Sequence, residues 1–138
     1  MKKIFLIATL FFTSVCFAQE KQHKIVFDFT KNDTTNVATI MRQLGNIKKT
    51  APNSEVEVVC YGPGLDMLMK DKSAVQKDIE ELTVKHNVVF AACEASMQRR
   101  GILKEQLLSQ VTTVPLASLE ISSKQQEGWS YLKGGYNP

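Results

Sequence analysis

Hydrophobic and polar positions along the chain follow two periodicities, one typical of strands and one typical of helices. Short apolar or β-branched runs, bounded by polar or glycine-containing turns, predict five strands at residues 24–29, 55–61, 88–92, 111–114 and 129–132. Between these runs, apolar residues recur every three or four positions, as on the buried face of a helix. The sequence therefore predicts a regular alternation of strands and helices.

Four helices are predicted between the strands. The first follows a polar turn with Thr34 or Thr35 as its N-cap, and the second follows residues 71–73. A short helix at 94–100 stops at Gly101, and a last helix at 116–127 closes at Gly128. The apolar residues expected to face the core are Ala38, Ile40, Met41, Leu44 and Ile47 in the first helix, and Val75, Ile79, Leu82 and Val84 in the second.

Strands separated by helices of this length imply crossover connections, and hence a mostly parallel sheet with helices on both faces. The predicted fold is a three-layer α/β sandwich with a mostly parallel sheet of about five strands. Right-handed crossovers place the ligand-binding crevice of such a sheet at the carboxyl ends of strands one, two and three. Asp28, Tyr61 and Cys93 lie at those ends, so we expect them near the rim of the crevice.

The start of the chain has the organisation of a secretory signal peptide. Two lysines precede an apolar run at residues 4–12, and residues 16–18 supply a small-residue cleavage site. Neither this run nor any later one reaches the about 20 apolar residues that span a bilayer. We therefore predict a signal peptide at 1–18 cleaved near Ala18, a single domain at 19–138, no membrane span, and a periplasmic or secreted location.

The net charge argues against a nucleic-acid partner. The formal net charge is +3 for the full chain and falls to +1 once the two lysines of the signal peptide are removed. No basic stripe with interleaved aromatic residues follows, as nucleic-acid binding would need. The basic pairs Lys48-Lys49 and Arg99-Arg100 are isolated, and we expect them on solvated helix faces.

An apolar run at residues 88–92 leads into Cys93, where a helical pattern begins. A side chain at the carboxyl end of such a strand faces the crevice, and the positive end of the next helix favours thiolate over thiol. This position predicts an exposed, reactive cysteine; the alternative is a small buried hydrophobe. Glu94 would raise the pKa of the thiol and Arg99 would lower it, so the sequence leaves the net direction open.

No helper group for base-assisted or metal chemistry is evident near Cys93. His23 precedes the first strand and His86 precedes the third, at the opposite end from Cys93, so a Cys-His pair is not expected. The paired Cys or His spacings of metal sites are missing, so we expect no metal and no other cofactor. The chemistry that remains is attack on sulfur or carriage of a persulfide, which needs only an accessible thiolate.

The turn Gly62-Pro63-Gly64 follows the second strand. Its glycines allow a close backbone approach, so exposed amides there would be able to cradle an anionic or polar group. The alternative is ordinary turn chemistry, which the same residues also favour. Because the Gly-x-Gly-x-x-Gly spacing is missing, the turn does not indicate dinucleotide binding.

Two cysteines, Cys60 and Cys93, remain after removal of the signal peptide, in a compartment that permits disulfides. If the first strand lies between the second and the third, their Cα atoms are roughly 9.6 Å apart. That separation exceeds the about 7 Å that a disulfide can bridge. On that premise we predict two free thiols; the alternative is a redox-sensing disulfide between them.

Four segments together resemble the DsrE/DsrF-like family of sulfur-relay proteins. They are the opening strand, the exit of the second strand at 58–65, the stretch 89–97 around Cys93, and the ending at 119–131. The resemblance implies a DsrE-like, flavodoxin-like α/β sandwich that assembles as a trimer or hexamer. It also implies that Cys93 accepts and passes on sulfur as a persulfide. Many relatives have histidine where this chain has Tyr61, and the well-studied sulfur carriers are cytoplasmic.

The predicted function is therefore that of an exported sulfur-handling protein. Cys93 is the predicted catalytic residue, and its partners would be a sulfur donor or acceptor protein or a small thiol. The alternative is a non-catalytic module that binds a small molecule or builds an oligomer, with Cys93 in a structural role. The predicted substrate-binding residues are Asp28, Tyr61, Gly62, Pro63, Gly64, Glu94 and Ser96.

Overall fold

The computed structural model describes residues 22–135, so the predicted signal peptide lies outside the described residues. Within this range the chain forms a five-stranded sheet in which every strand pair is parallel. The strands are β1 (Lys24–Phe29), β2 (Glu55–Cys60), β3 (Val88–Cys93), β4 (Thr112–Val114) and β5 (Ser130–Lys133). The helices are α1 (Thr34–Thr50), α2 (Gln76–His86), α3 (Glu94–Arg100) and α4 (Ala117–Gln126), with short 3₁₀ helices at Gly62–Leu68 and Lys104–Gln106.

The strand order across the sheet is β4-β3-β2-β1-β5. The chain steps in one direction from β1 to β4, and right-handed crossovers therefore place α1, α2 and α3 on one face of the sheet. It then returns past β1 to form β5, which places α4 on the other face, against β1, β2 and β5. The three-layer α/β sandwich predicted from the sequence is confirmed.

The larger core fills the space between the sheet and the first two helices. Burying each large apolar side chain of this core contributes about 1.5–3 kcal/mol to folding. The predicted inner faces are confirmed at Ile40 and Leu44 of α1 and at Ile79 of α2, each 0 % exposed. Their main partners on the sheet are Phe27, Phe29, Val56, Val58 and Phe90.

Two residues assigned to the inner helix faces point to solvent instead. Val84 is 68 % exposed, and Ala38 is also exposed. Val84 follows Leu82 by two positions, which is about 200° around a helix, so the two side chains cannot share a face. Among residues 22–135, none of the helices combines the length and the apolar character needed to cross a bilayer.

Helix α1 is capped one residue earlier than the sequence predicted. The Asp33 carboxylate accepts a hydrogen bond from the Asn36 backbone N–H at 3.0 Å, so Asp33 and not Thr34 or Thr35 is the N-cap. The Asn36 side chain donates a second hydrogen bond to this carboxylate at 2.7 Å. The backbone bond and then the side-chain bond lower the pKa of Asp33. Aspartate is the stronger capping residue of the three because its charge also favours the positive end of the helix.

Lys48 departs from the prediction of a solvated lysine pair. It is 5 % exposed, and its Nζ donates to the backbone oxygens of Pro52 at 2.8 Å and Ser54 at 2.7 Å. Burial lowers the pKa of this ammonium group. Lys48 thus closes the turn between α1 and β2, whereas Lys49 remains exposed as expected.

The α4 face of the sheet carries a smaller core and one buried ion pair. Val26, Val59, Cys93 and Ala117 form its apolar part. Glu57 of β2, whose side chain is 5 % exposed, pairs with Lys124 of α4 at 2.9 Å. Burial raises the pKa of Glu57, and Glu57 in turn raises the pKa of the less buried Lys124 against its own desolvation. The pair anchors the last turn of α4 to the sheet.

Candidate functional site around Cys93

Cys93 is both the last residue of β3 and the N-cap of α3. Its Sγ lies 3.4 Å from the backbone nitrogen of Ala117, the first residue of α4. The thiol therefore sits where two helices begin, one formed by the residues that follow it and one that starts 24 positions later. A backbone N–H that points at sulfur from a helix start stabilises negative charge there.

Hydrogen bonds outweigh burial in setting the state of this thiol. Burial disfavours the thiolate, but the Ala117 N–H donates a hydrogen bond to the sulfur. The backbone and hydroxyl of Ser96 and the backbone of Ala95, whose N–H bonds to the Pro115 carbonyl, add smaller favourable contributions. As a result, the pKa of Cys93 lies below its ordinary value. The direction that the sequence left open is therefore toward the thiolate.

The exposure predicted for Cys93 is wrong. The residue is 1 % exposed, in a cluster that Tyr61, Val114 and Ile121 cover from the α4 side. The first turn of α4 lies beside the end of β3, because the chain must pass over the sheet between β4 and β5. Cys93 is thus buried, as the alternative prediction described, and it has a hydrogen-bond donor at its sulfur.

Ser96 connects Cys93 to the glycine turn. It is 1 % exposed, and its Oγ accepts hydrogen bonds from the Gly62 N–H at 3.3 Å and from Arg99 Nη2 at 3.0 Å. The Ser96 hydroxyl is among the groups that lower the pKa of Cys93, and the contact with Arg99 holds this side chain in place.

Glu94 is turned away from the thiol that it was expected to influence. Its Oε1 accepts a hydrogen bond from the Thr113 hydroxyl at 2.7 Å, on the neighbouring strand β4. This bond ties the start of α3 to the edge of the sheet. The predicted effect of Glu94 in raising the pKa of Cys93 does not appear among the main influences on that thiol.

The Gly62-Pro63-Gly64 turn is engaged within the protein. The Gly62 N–H donates to Ser96, the Gly64 N–H donates to the Tyr61 carbonyl at 3.1 Å, and Pro63 has no N–H. Gly62 adopts a left-handed conformation with φ of 54°, which favours glycine. The turn opens a 3₁₀ helix and orients Ser96, so its amides are not free to cradle an anion.

A crevice of about 440 Å³ lies on the α4 face near the ends of β1 and β2. Asp28 and Tyr61 line it, as the sequence predicted, but its other walls come from α4 and from Tyr131 of β5. Cys93 is not among the lining residues, so the crevice spans strands one, two and five and not strands one, two and three. The α4 residues that line it are Ser118, Ile121, Ser122 and Gln125.

Sequence reasoning missed these wall residues although a signal was available. Ser118, Ser122 and Gln125 occur at helical spacing, i, i+4 and i+7, on one side of α4. A polar stripe of this kind along one side of a helix is typical of a face that borders a crevice. The stripe points to this crevice only because α4 packs beside β1, and the sequence pattern does not encode that packing.

Asp28 organises the polar side of the crevice. It is 8 % exposed, and its Oδ2 accepts a hydrogen bond from the Tyr61 hydroxyl at 3.2 Å. Burial, followed by the charge of Asp28 and the hydrogen bond to it, raises the pKa values of Tyr61 and Tyr131. Asp28 Oδ1 is buried without a hydrogen-bond partner among the described residues.

Cys60 and Cys93 are both free thiols, but the premise of the distance argument is wrong. β1 does not lie between β2 and β3; those two strands are neighbours, and Cys60 is in register with Ala92. Cys93 is one residue further on, so its side chain points to the opposite face of the sheet. The two thiols are separated by direction and not by distance. Burial in the larger core raises the pKa of Cys60 far above its ordinary value.

A second, larger cavity of about 620 Å³ lies at the other end of the strands. Residues near the start of β2 and β3 line it, together with Lys48, Lys124 and Trp129. Lys124 Nζ stacks over the Trp129 ring at 4.4 Å from its centroid. His86, at the end of α2, is also at this end of β3, away from Cys93. No group of three or more His, Cys, Asp or Glu in residues 22–135 is arranged to hold a metal ion.

Comparison with known proteins agrees with this architecture. A structure from Methanobacterium thermoautotrophicum, MTH1491, described as a protein of unknown function, is 28% identical with a TM-score of 0.77. The match covers 81% of this chain and 99% of that one. The ychN protein from E. coli is 16% identical with a TM-score of 0.66, over 82% of this chain and 99% of that one, which shows a shared fold.

The BT1422 protein from Bacteroides thetaiotaomicron, also described as of unknown function, is 15% identical with a TM-score of 0.66, over 80% of this chain and 93% of that one. No curated protein matches the sequence significantly. The family model of the DsrE/DsrF-like family matches residues 23–133, which span all five strands and the whole site around Cys93. The chain belongs to the DsrE/DsrF-like family.

Proposed function

We propose that Cys93 accepts sulfane sulfur as a persulfide and passes it on. Family membership suggests a role of the sulfur-relay type. The observation that carries the finer proposal is the set of donors around the sulfur, above all the Ala117 N–H at 3.4 Å, which together lower the pKa of Cys93. A thiolate held in this way attacks sulfur without a general base, and no histidine is needed beside it.

The transfer step balances without an external oxidant or reductant. The Cys93 thiolate attacks the outer sulfur of a donor persulfide, R–S–SH. The S–S bond of the donor breaks as the new S–S bond to Cys93 forms, and the leaving thiolate, R–S⁻, takes the electron pair. The proton stays on the transferred sulfur and gives Cys93–S–SH. Once Cys93–S–SH loses its proton to solvent, the donors that hold the Cys93 thiolate also suit the negative charge of the persulfide anion.

Access to Cys93 requires its cover to open. With the residue 1 % exposed, a donor reaches the sulfur only when the Tyr61 side chain or the start of α4 moves aside. A closed state of this kind protects a persulfide between transfers, which matters in an oxidising compartment where such groups are readily lost. In such a relay, burial protects the persulfide on Cys93 between transfers, and opening of the cover exposes it for transfer.

Mass spectrometry of the intact protein tests the proposal. After incubation with a small-molecule persulfide, wild-type protein is expected to gain one sulfur atom and Cys93→Ser none, because Cys60 is buried in the other core and its pKa is raised. Cys60→Ser is the matched control and should gain sulfur like wild type. Equal gains by wild type and Cys93→Ser would contradict the proposal.

A second function remains supported by the burial of Cys93 and by the separate polar crevice. In that function the protein binds a small molecule between Asp28, Tyr61 and α4, and Cys93 has a structural role. It predicts that wild-type protein gains no sulfur in the same experiment. It also predicts that thiol reagents label Cys93 only after denaturation.

The proposed setting is an exported homo-oligomer, a trimer or hexamer, which exchanges sulfur with a protein partner or a small thiol. The exposed apolar side chains of Leu119 (64 %) and Leu132 (44 %), on α4 and β5, support an association surface. Protein recovered from expressing cells is expected to begin at Gln19 and to show three or six times the protomer mass by light scattering. The mass of a monomer would contradict the proposed oligomer, and a chain that is not cleaved would contradict the proposed export.

A further inference from the structure

Among the described residues, the Asp28 carboxylate lacks the positively charged partner that a buried charge ordinarily has, and it interacts instead with the neutral hydroxyls of Tyr61 and Tyr131. It is 8 % exposed, Oδ2 is hydrogen-bonded by Tyr61, and Oδ1 has no hydrogen-bond partner among the described residues. In residues 22–135 no lysine, arginine or histidine forms an ion pair with Asp28, and none lines the crevice. Lys133 is in register with Asp28 on β5, but it is exposed and does not line the crevice. A buried carboxylate oxygen in this state is suited to an N–H donor that arrives with a ligand.

The remaining walls of the crevice match the same kind of ligand. Three of them, Ser118, Ser122 and Gln125, are uncharged polar side chains on α4, and Ile121 supplies an apolar surface between them. The tyrosine hydroxyls at Asp28 add no positive charge. The crevice therefore has one negative charge, several hydrogen-bonding groups and no cation, which favours a small positively charged ligand over an anion.

We propose that this crevice binds the protonated amine of a small aminothiol persulfide, which is the sulfur donor or acceptor of Cys93. The inference rests on the proposed relay function and names the chemical class of its small-molecule substrate. The amine donates a hydrogen bond to the Asp28 carboxylate, which lines the crevice, and is unchanged by the reaction. Only the S–S bond is exchanged, as in the step written above.

The spacing of the strands allows one small molecule to reach both groups. Asp28 is in register with Val59, and Val59 with Ala91, two residues before Cys93. The side chains of Asp28 and Cys93 point to the same face, and their Cα atoms are about 12 Å apart by strand spacing and rise. Because both side chains leave the sheet in the same direction, their end atoms are separated by a similar distance. A hydrogen bond of about 3 Å to Asp28 and a contact of about 3.5 Å to the Cys93 sulfur take up part of it. The ligand itself must then span about 6 Å, which four or five bonded atoms do.

Tyr61 follows the strand between these two groups, and it is linked to both. Its hydroxyl contacts Asp28, and the charge of Cys93 is among the influences that raise the pKa of Tyr61. The ring therefore borders the path from the crevice to the sulfur, and it belongs to the cover that must open for transfer. An amine that binds beside Asp28 lies next to this movable cover.

The test compares two donors that differ only at the recognised group. Cysteamine persulfide carries a protonated amine where 2-mercaptoethanol persulfide carries a neutral hydroxyl. Wild-type protein is expected to gain sulfur about tenfold faster from the amine donor, as one charge-assisted hydrogen bond would give. In Asp28→Asn, which keeps the shape of the side chain, the ratio of the two rates should fall to about one.

Glu57→Gln is the matched control. It also removes a buried carboxylate on the α4 face of the sheet, but at the larger cavity and paired with Lys124. This variant should keep the preference for the amine donor. Loss of the preference in Glu57→Gln as well would show that general charge, and not the Asp28 crevice, selects the donor, and would overturn the inference.

A binding measurement separates this inference from the relay itself. Cysteamine and 2-mercaptoethanol are titrated onto Cys93→Ser, with and without Asp28→Asn, and followed by NMR. Binding of cysteamine alone, lost in Asp28→Asn, supports the crevice even if wild-type protein gains no sulfur, a result that would remove only the relay. Equal sulfur gain from both donors, unchanged by Asp28→Asn, would overturn the crevice and leave the relay standing.

Discussion

Replacing Gly64 with alanine is expected to destabilise the protein by about 3 kcal/mol, the upper end for forcing atoms into a packed interior. A Cβ at this position would lie 2.9 Å from the Phe29 carbonyl carbon and 3.0 Å from Thr30 Cα, and closer still to the Phe29 carbonyl oxygen. These are backbone atoms at the end of β1. They cannot move aside without breaking the hydrogen bond from the Tyr61 N–H to Phe29, 3.1 Å long.

Gly45→Ala is the matched control for this substitution. Gly45 lies within α1, and apart from its chain neighbours and the adjacent helix backbone no described atom lies within 4 Å of the position that its Cβ would take. Alanine there should stabilise the protein by about 1 kcal/mol, because glycine is the poorer helix former. Urea unfolding of the three proteins measures both effects. Unfolding midpoints that shift in the same direction for both variants would contradict the explanation.

The Gly64 prediction also concerns the site, since the same turn orients Ser96. Gly62 donates to Ser96 Oγ, and Arg100 holds the turn from outside through the Gly62 carbonyl at 2.7 Å and the Asp66 carboxylate at 2.6 Å. The glycine turn thus has a structural role that reaches Cys93 indirectly. This accounts for its position beside the thiol although its amides are not free.

Replacing Ser96 with alanine is expected to raise the pKa of Cys93 and to slow its reaction with iodoacetamide at neutral pH by about tenfold. A hydrogen bond to a charged group contributes about 1.5–3 kcal/mol, and sulfur lies at the weak end. Ser96 provides two of the bonds that lower the pKa, and alanine removes only the hydroxyl. The folded protein then holds less thiolate at any pH below the ordinary thiol value.

The pH profile of alkylation is the decisive readout, because opening of the cover changes the maximum rate but not the inflection. In wild type the inflection should lie below the ordinary thiol pKa, and in Ser96→Ala it should move to higher pH. Ser54→Ala is the control, since Ser54 is also buried and its Oγ has no hydrogen-bond partner within residues 22–135. If the inflection in Ser96→Ala does not move, the backbone N–H groups alone lower the pKa of the Cys93 thiol.

The sequence by itself determined the main strands and helices and the place of Cys93 and Ser96 in the site. β1, β3 and α3 follow from local periodicity and from turn residues, and the position of Cys93 at a strand end and helix start follows directly. Ser96 was also identified, because it is a polar residue that follows Cys93 on the predicted helix. Each of these features depends on residues that are near in sequence, whose geometry is fixed by the helix and strand repeats.

Only the tertiary structure decided the state of the thiol and the shape of the crevice. The strand order makes β2 and β3 neighbours, separates Cys60 from Cys93 by face, and sends α4 across the sheet. That crossing brings the Ala117 N–H to the sulfur and buries it, and it adds Ser118 and Tyr131 to a crevice with Asp28. Local patterns do not encode which strands pair or which face a crossover covers, since both depend on the packing of the whole chain.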